Sequence, residues 1–151
     1  MLRVREGRSD DAEPLIAFNT AMAFETEDKS LDPETVSRGV RRVLEDADRG
    51  TYLVAERHGV VTGSLYITRE WSDWRDGWFW WIQSVFVRPE DRRAGVFRAL
   101  YEEVVARARS AGDVCGLRLY VEDENHGAQQ TYEQLGMRRA GYEMYEVVIA
   151  P

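Results

Sequence analysis

The sequence predicts an α/β domain with a mixed central sheet of six or seven strands flanked by four helices. Segments with the 3.6-residue spacing of amphipathic helices alternate along the chain with β-rich runs. The run from Trp78 to Val87 is almost wholly aromatic or aliphatic, as expected of a central strand buried on both faces. A length of 151 residues with 44% hydrophobic content suits a single core. We therefore expect residues 1–151 to form one domain.

The first third of the chain predicts one strand and two helices. Alternation at the N-terminus indicates a short strand over residues 2–5. A helix then begins near Asp11, because Pro14 is tolerated only within a first turn. After a polar and acidic loop, Asp32 caps a second helix that has Pro33 at its first position.

The middle of the chain predicts a hairpin, the central strand and a third helix. The hairpin joins residues 51–56 to residues 60–68, and the central strand occupies residues 78–87. A helical period returns over residues 95–109, with an apolar stripe opposite charged residues.

The last third predicts another strand over residues 116–121 and a short helix that Gly136 ends. The tail, residues 138–149, is rich in Tyr and Val and indicates one or two closing strands.

The acidic balance and the single cysteine set expectations about partners and compartment. A formal charge of −7 repels polyphosphate, so neither nucleic acid nor membrane is an expected partner, whereas cations such as amines are attracted. Solubility alone is the simpler explanation of this charge. Cys115 has no partner for a disulfide, and no apolar run indicates a leader or a membrane span, so we expect a reducing, cytoplasmic location. Two histidines and Cys115 lack metal-ligand spacing, and no metal is expected.

The junction after the central strand is the strongest local signal of a binding site. A short basic loop over residues 88–94 leads directly into an amphipathic helix, whose first N–H groups and dipole favour phosphate oxygens. Arg92, Arg93 and Arg98 add positive charge. A plain strand-to-helix turn with solvated arginines fits these features equally well. The loop lacks the Gly-Lys-Ser/Thr of a Walker A motif and the glycines of a Rossmann fingerprint.

Two blocks of the sequence resemble the GCN5-related N-acetyltransferase (GNAT) family. Arg92-x-x-Gly95-x-Phe97 is similar to the family's acetyl-CoA motif, Arg/Gln-x-x-Gly-x-Gly/Ala, and follows the expected strand. Asn125, with Tyr132 seven residues later, is similar to the second family block. The order of elements matches over nearly the whole chain. The resemblance implies an acyltransferase that moves an acetyl group from acetyl-CoA to a small-molecule or peptide primary amine in a ternary complex.

The resemblance also implies a role for each matching position. The pantetheine arm would pair with the backbone at the end of the central strand, in the way that a further strand would. The loop amides would hold the diphosphate. Asn125 would either touch the coenzyme or cap the following helix. Tyr132 would be the general acid that protonates the departing thiolate, although its spacing alone indicates a core aromatic. The residues expected at the coenzyme are Val85, Phe86, Val87, Arg92, Arg93, Ala94, Gly95, Val96, Phe97, Arg98 and Asn125.

Two departures from the family pattern leave catalysis open. Phe97 stands where the family has a small residue, so its ring must turn into the core. Gln83 stands where polyamine-type members have Glu, and it cannot accept a proton. Glu70, Glu25 and Glu27 are candidate bases, but each is better explained as a solvated loop carboxylate, and no base is assigned. The alternative function is a degenerate fold that binds acyl-CoA, or dimerises, without catalysis.

Five tryptophans between positions 71 and 81 allow two interpretations. In an alternating strand Trp78 and Trp80 share one face and Trp81 takes the other. One face would wall an acceptor pocket and attract an ammonium group through cation–π contact. Core packing and contacts in a homodimer explain the same residues at least as well.

Overall fold

The structure, a computed structural model, describes residues 1–150. The strands are β1 (Leu2–Glu6), β2 (Thr51–Arg57), β3 (Val60–Ser72), β4 (Gly77–Val87) and β5 (Val114–Arg118). The helices are α1 (Ala12–Glu27), α2 (Pro33–Glu45), α3 (Val96–Ala111) and α4 (His126–Gln134). The chain divides into two compact units, a larger one of residues 1–120 and a smaller one that begins at Val121. The single domain expected from the sequence stays a prediction.

The larger unit contains one mixed sheet with the strand order β1-β2-β3-β4-β5. The first four strands are antiparallel neighbours, and β5 lies parallel to β4. A parallel neighbour requires a crossover, and α3 supplies it between these two strands. The predicted α/β class, mixed sheet and four helices are therefore confirmed.

The predicted strand number is wrong, because the described residues form five strands rather than six or seven. The difference lies in the tail, since residues 138–150 have no assigned strand. Residues such as Tyr142 and Val147 favour strands, but β propensity expresses a fit to a paired, half-buried surface rather than an intrinsic backbone preference. Composition alone therefore overestimated the sheet. The last strand also ends earlier than predicted, at Arg118.

The two faces of the sheet carry separate cores, which follow from the alternation of β2. Leu53 and Ala55 point to one face, where they join the apolar stripe of α3; the stripe residues are Val96, Leu100 and Val104. Tyr52 and Val54 point to the opposite face, where they pack against α1 and α2. The sheet therefore separates α3 from α1 and α2.

A buried ion pair fixes the entry into α1. Asp11 is 4% exposed. Its Oδ2 accepts hydrogen bonds from Arg5 Nη1 at 2.8 Å and from the Arg8 amide at 2.7 Å. Burial alone would raise the pKa of Asp11, but the hydrogen bonds from Arg5 and Arg8 outweigh it and the pKa lies below its ordinary value. The folded state therefore favours the charged carboxylate.

Candidate active site

A bulge in β4 marks the start of the candidate site. The register with β3 runs Tyr66↔Gln83 and then Ser64↔Phe86, so two residues of β4 oppose one of β3. Ser84, inside this bulge, has the left-handed φ of 51°. An inserted residue bends its strand and re-aims the side chains that follow. As a result Phe86 lies on the α1 side, where its ring centroid is 5.0 Å from that of Phe18.

Beyond the bulge, the outer edge of β4 is left uncovered by β5. The pairing of these two strands ends at Trp81↔Arg118, and β5 itself ends at Arg118. At the end of β4 the Arg88 amide donates to the Thr62 carbonyl at 2.9 Å. Because inward and outward groups alternate along an antiparallel ladder, the neighbouring Val87 turns its N–H and C=O away from β3. The Val87 N–H is therefore open to an extended ligand, whereas the Val87 carbonyl already accepts from Arg92 Nε at 2.9 Å.

The loop after β4 presents a row of backbone amides. Arg93 and Gly95 have left-handed φ values of 63° and 81°. No side chain caps α3, and the Ala99 amide is bonded to the Gly95 carbonyl at 3.0 Å. Within the described chain, the amides of residues 93–96 donate no hydrogen bond to protein atoms. Successive N–H groups in such a turn, at the positive end of a helix dipole, form an anion-binding concavity.

Most of the side-chain charge of the loop is already balanced. Arg88 Nε lies 2.6 Å from Asp91 Oδ2, and Arg98 Nη1 lies 3.8 Å from Glu102 Oε1. Arg92 is paired with Glu25, as described below. Arg93 is the one arginine of the loop without an ion-pair partner among residues 1–150. The attraction for an anion therefore rests mainly on backbone donors, with one unbalanced cation.

The structure gives Phe97 the orientation that its position demands. Its ring packs against the α3 core cluster and lies 6.2 Å from the ring of Tyr101, measured between centroids. The side chain thus turns inward, where its bulk does not cover the loop amides.

Gly63 lies at a point of close packing near the same loop. A Cβ at this position would come within 2.9 Å of the Phe86 carbonyl oxygen and of Val96 Cγ1. Glycine at this position lets β3, β4 and the start of α3 pack together.

A polar and aromatic cluster lies next to the bulge, on the α1 side of the sheet. Gln83 Nε2 donates to Thr68 Oγ1 at 2.6 Å, and the Tyr120 hydroxyl lies 3.4 Å from Gln83 Oε1. The rings of Tyr120 and Trp81 are 5.8 Å apart between centroids. This cluster provides hydrogen-bonding groups and an aromatic surface where β4 and β5 separate.

The three candidate bases are all engaged with cations or donors. Glu70 Oε1 accepts from Trp81 Nε1 at 2.9 Å and from Arg118 Nη1 at 3.1 Å. Glu27 lies 3.1 Å from the Lys29 ammonium nitrogen, and Glu25 is paired with Arg92. Each of these carboxylates already has a protein partner, so the geometry singles out none of them as a base.

The tryptophans divide between the two faces as the alternation predicted. Trp80 packs against the α3 core cluster, whereas Trp81 belongs to the polar cluster on the other face. Trp78 stacks edge-on against Trp71 at 5.0 Å, and Trp74 is exposed at the turn between β3 and β4. Only Trp81 therefore contributes to the candidate acceptor surface.

In the smaller unit, Asn125 and Tyr132 lie at the start and in the body of α4. Asn125 caps this helix, because its Oδ1 accepts from the Ala128 amide at 3.2 Å. Tyr132 is partly buried, and desolvation raises the pKa of its phenol above the ordinary value. The phenol is therefore protonated at neutral pH. Capping is thus observed for Asn125, and contact with the coenzyme remains a prediction.

Among residues 1–150, no cluster of three or more His, Cys, Asp or Glu side chains is arranged to hold a metal ion. Each helix of the described chain is also too short or too polar to cross a bilayer.

Comparison with known proteins agrees with the fold. The model of the acetyltransferase (GNAT) family matches residues 18–137. The chain is 32% identical to the mycothiol acetyltransferase of Thermobispora bispora over 131 residues, which cover 85% of this chain and 43% of that protein. A solved structure of a possible acetyltransferase from Clostridium difficile 630 is 40% identical and superposes with a TM-score of 0.93, covering 100% of this chain and 99% of the other. The chain belongs to the acetyltransferase (GNAT) family, whose members use acetyl-CoA.

More distant structures share the fold alone. The ribosomal-protein-alanine N-acetyltransferase from Brucella melitensis biovar Abortus 2308 has 15% identity and a TM-score of 0.80, with 99% of this chain and 100% of that chain covered. The present chain spans less than half the length of the mycothiol acetyltransferase that it matches. An acyltransferase is therefore the class that the comparisons support, and the acceptor is a separate question.

Three features of the site had no signal in the sequence. The bulge places Ser84, rather than Gly or Asn, at a left-handed φ, and Arg93 does the same in the loop. The ion pair between Glu25 and Arg92 joins residues that are 67 positions apart, which no local pattern reveals. The polar cluster around Gln83 likewise depends on strand pairing.

Proposed function

We propose that the protein is an acetyl-CoA-dependent N-acetyltransferase that moves the acetyl group to a primary amine by direct attack in a ternary complex. The row of unbonded amides at residues 93–96, which directly follows the uncovered edge of β4, carries this proposal. The diphosphate accepts from these amides and from the others in residues 93–98. The pantetheine arm lies along residues 85–87 as an added strand. Membership of a family that uses acetyl-CoA supports both assignments.

The proposed reaction forms one bond and breaks one. The amine nitrogen attacks the thioester carbonyl carbon, and backbone N–H groups near Val85 stabilise the oxyanion. The C–S bond then breaks, and Tyr132 donates its proton to the thiolate, whose conjugate acid has a pKa of about 8.5. The amine loses its extra proton to water, and the tyrosinate recovers one from the same source. Orientation of the two bound substrates supplies the larger share of the acceleration.

The test follows free thiol during incubation of acetyl-CoA with a panel of primary amines. Tyr132→Phe should lower kcat on the order of 100-fold, because general acid catalysis is lost, while the Kd for coenzyme A changes by less than about twofold. Tyr101→Phe, which removes a hydroxyl from α3 outside the proposed machinery, is the control. An equal loss of kcat and coenzyme affinity in Tyr132→Phe would assign a structural role to this residue.

A second candidate function is a GNAT-fold protein that binds acyl-CoA, or dimerises, without catalysis. Two observations favour it: Gln83 cannot accept a proton, and each candidate base is held in an ion pair. Acetyl-CoA would then raise the unfolding temperature with no thiol released by any amine. Sedimentation, with and without coenzyme, would detect a homodimer in either case.

A further inference from the structure

The guanidinium of Arg92 contacts three groups of the protein. Its Nε donates to the Val87 carbonyl at 2.9 Å. Its Nη2 donates to both carboxylate oxygens of Glu25, at 3.0 Å and 3.3 Å. The guanidinium carbon also lies 5.5 Å from the centroid of the Phe86 ring. One side chain thus connects the end of β4, the last turns of α1 and the beginning of the amide loop.

These contacts use the planar fork of arginine rather than its charge alone. Nε and Nη2 donate in different directions at fixed angles, which a single ammonium group cannot reproduce. The charge is offset by Glu25, so little of it remains to attract a phosphate. The pair is also partly exposed, with side-chain exposures of 44% for Arg92 and 39% for Glu25. Pairs of this exposure contribute little to global stability, so their effect is local.

We propose that Glu25 and Arg92 are positioning residues for the coenzyme site. Glu25 orients the guanidinium of Arg92, which holds the Val87 carbonyl and thereby fixes the point from which the amide loop departs. Arg92 then acts through the backbone and does not bind the diphosphate itself. The inference rests on the proposed function for its consequence, which is coenzyme affinity, but the local order that it describes belongs to the free protein.

Substitutions at both ends of the pair separate this role from direct binding. If Arg92 binds the diphosphate, Glu25→Gln frees a cation and coenzyme A binds more tightly, while Arg92→Lys keeps most of the affinity. The positioning role predicts the opposite change in coenzyme A affinity. Glu25→Gln weakens coenzyme A binding about threefold to fivefold, and Arg92→Lys weakens it on the order of tenfold, close to Arg92→Gln, because the fork is lost.

The matched control is Glu13→Gln. Glu13 also lies on α1 and accepts from an arginine of another helix, Arg41 Nη2, at 2.6 Å. This variant should leave coenzyme affinity within about twofold of wild type. In steady-state kinetics, Glu25→Gln should raise the KM for acetyl-CoA by a similar threefold to fivefold and leave the KM for the amine unchanged.

The measurements are calorimetry with coenzyme A and hydrogen exchange of the free protein. Exchange should accelerate at the hydrogen-bonded amides of Arg88, Asp91 and Arg92 and in the last turn of α1 in Glu25→Gln, but not in Glu13→Gln. Tighter or unchanged coenzyme binding by Glu25→Gln overturns the inference. If wild type itself binds no coenzyme, the proposed function fails. In that case hydrogen exchange of the free protein alone tests the positioning role, and unchanged exchange in Glu25→Gln overturns it.

Discussion

Replacing Gly95 by alanine tests whether the loop amides form the coenzyme site. Gly95 has a φ of 81° and a ψ of 11°, in the left-handed region, where a side chain costs about 1–2 kcal/mol. A Cβ at this position would meet no atom within 4 Å, so the cost comes from the backbone alone. Gly112, at the other end of the same helix, has a φ of 82° and equally open surroundings. Gly112→Ala is therefore the matched control.

We expect this conformational cost to lower coenzyme affinity in Gly95→Ala and the free energy of unfolding in Gly112→Ala. The turn at residues 92–95 is exposed, so in Gly95→Ala it can relax to a right-handed conformation in the free protein. The coenzyme must then restore the strained conformation, and about 1–2 kcal/mol of binding free energy is lost, which corresponds to about 5–30-fold in Kd. Gly112 is confined to the two-residue link between α3 and β5. Gly112→Ala should lower the free energy of unfolding by about 1 kcal/mol and leave Kd within about twofold.

Calorimetry with coenzyme A and urea denaturation measure the two quantities on the same samples. Gly95→Ala should lose coenzyme affinity while its free energy of unfolding falls by less than about 0.5 kcal/mol, because relaxation relieves the strain. Equal coenzyme affinities in the two variants would refute the assignment of the diphosphate to these amides.

Three further substitutions test the scaffold by urea denaturation. Asp11→Asn should lower the free energy of unfolding by about 1–3 kcal/mol at neutral pH, because the buried Arg5 loses one of its two carboxylate partners and keeps only Glu56. The pKa of Asp11 is lower in the folded protein than in the unfolded chain, so the ionised carboxylate stabilises the fold above about pH 4. This stabilisation is lost as the pH falls through the folded pKa. The difference in the free energy of unfolding between wild type and Asp11→Asn should therefore narrow over that range. Gly63→Ala should cost about 1–3 kcal/mol through the 2.9 Å contacts of its Cβ, whereas Gly39→Ala, in open space within α2, should stabilise by about 0.5–1 kcal/mol. These assignments would be contradicted if Gly63→Ala left the free energy of unfolding unchanged. They would also be contradicted if the difference in that free energy between wild type and Asp11→Asn stayed constant down to pH 2.

The elements that the sequence predicted well are those with strong local signals. The second helix starts at Pro33 after the Asp32 cap, as predicted, because Asp32 Oδ2 accepts from the Thr35 amide at 2.9 Å. The third helix follows its apolar stripe to within a few residues, over Val96–Ala111. In both cases the capping chemistry and the buried face act within a few turns of chain, so the local pattern contains the necessary information.

Two further errors arose where polar sequence forms regular structure. Helix α1 continues to Glu27 through a segment expected to be loop, with Thr26 Oγ1 donating to the Met22 carbonyl at 2.8 Å. Strand β3 likewise extends to Ser72, because its pairing with β4 continues to Gly77. A neighbouring strand supplies the stabilisation in β3, so hydrophobic periodicity along the sequence does not reveal it.

The candidate site was likewise predictable from the sequence only in part. The position of the amide loop was predictable, since a buried strand, a glycine and an amphipathic helix follow one another directly. The bulge at Ser84 and the pairing of Glu25 with Arg92 were not, because both depend on contacts between segments that are distant in the chain. Arginine count in the loop indicated a cationic site, and the structure shows most of that charge balanced by carboxylates.

This balance bears on how an acidic protein would bind a polyanion. The chain carries a formal charge of −7, which acts against the approach of a diphosphate. Exposed carboxylates farther than about 8 Å from the loop are largely screened at physiological ionic strength, whereas the amides at residues 93–96 act at hydrogen-bond distance. Backbone donors also keep a fixed geometry that needs no rearrangement on binding. The site would therefore select a diphosphate by the arrangement of its donors rather than by net charge.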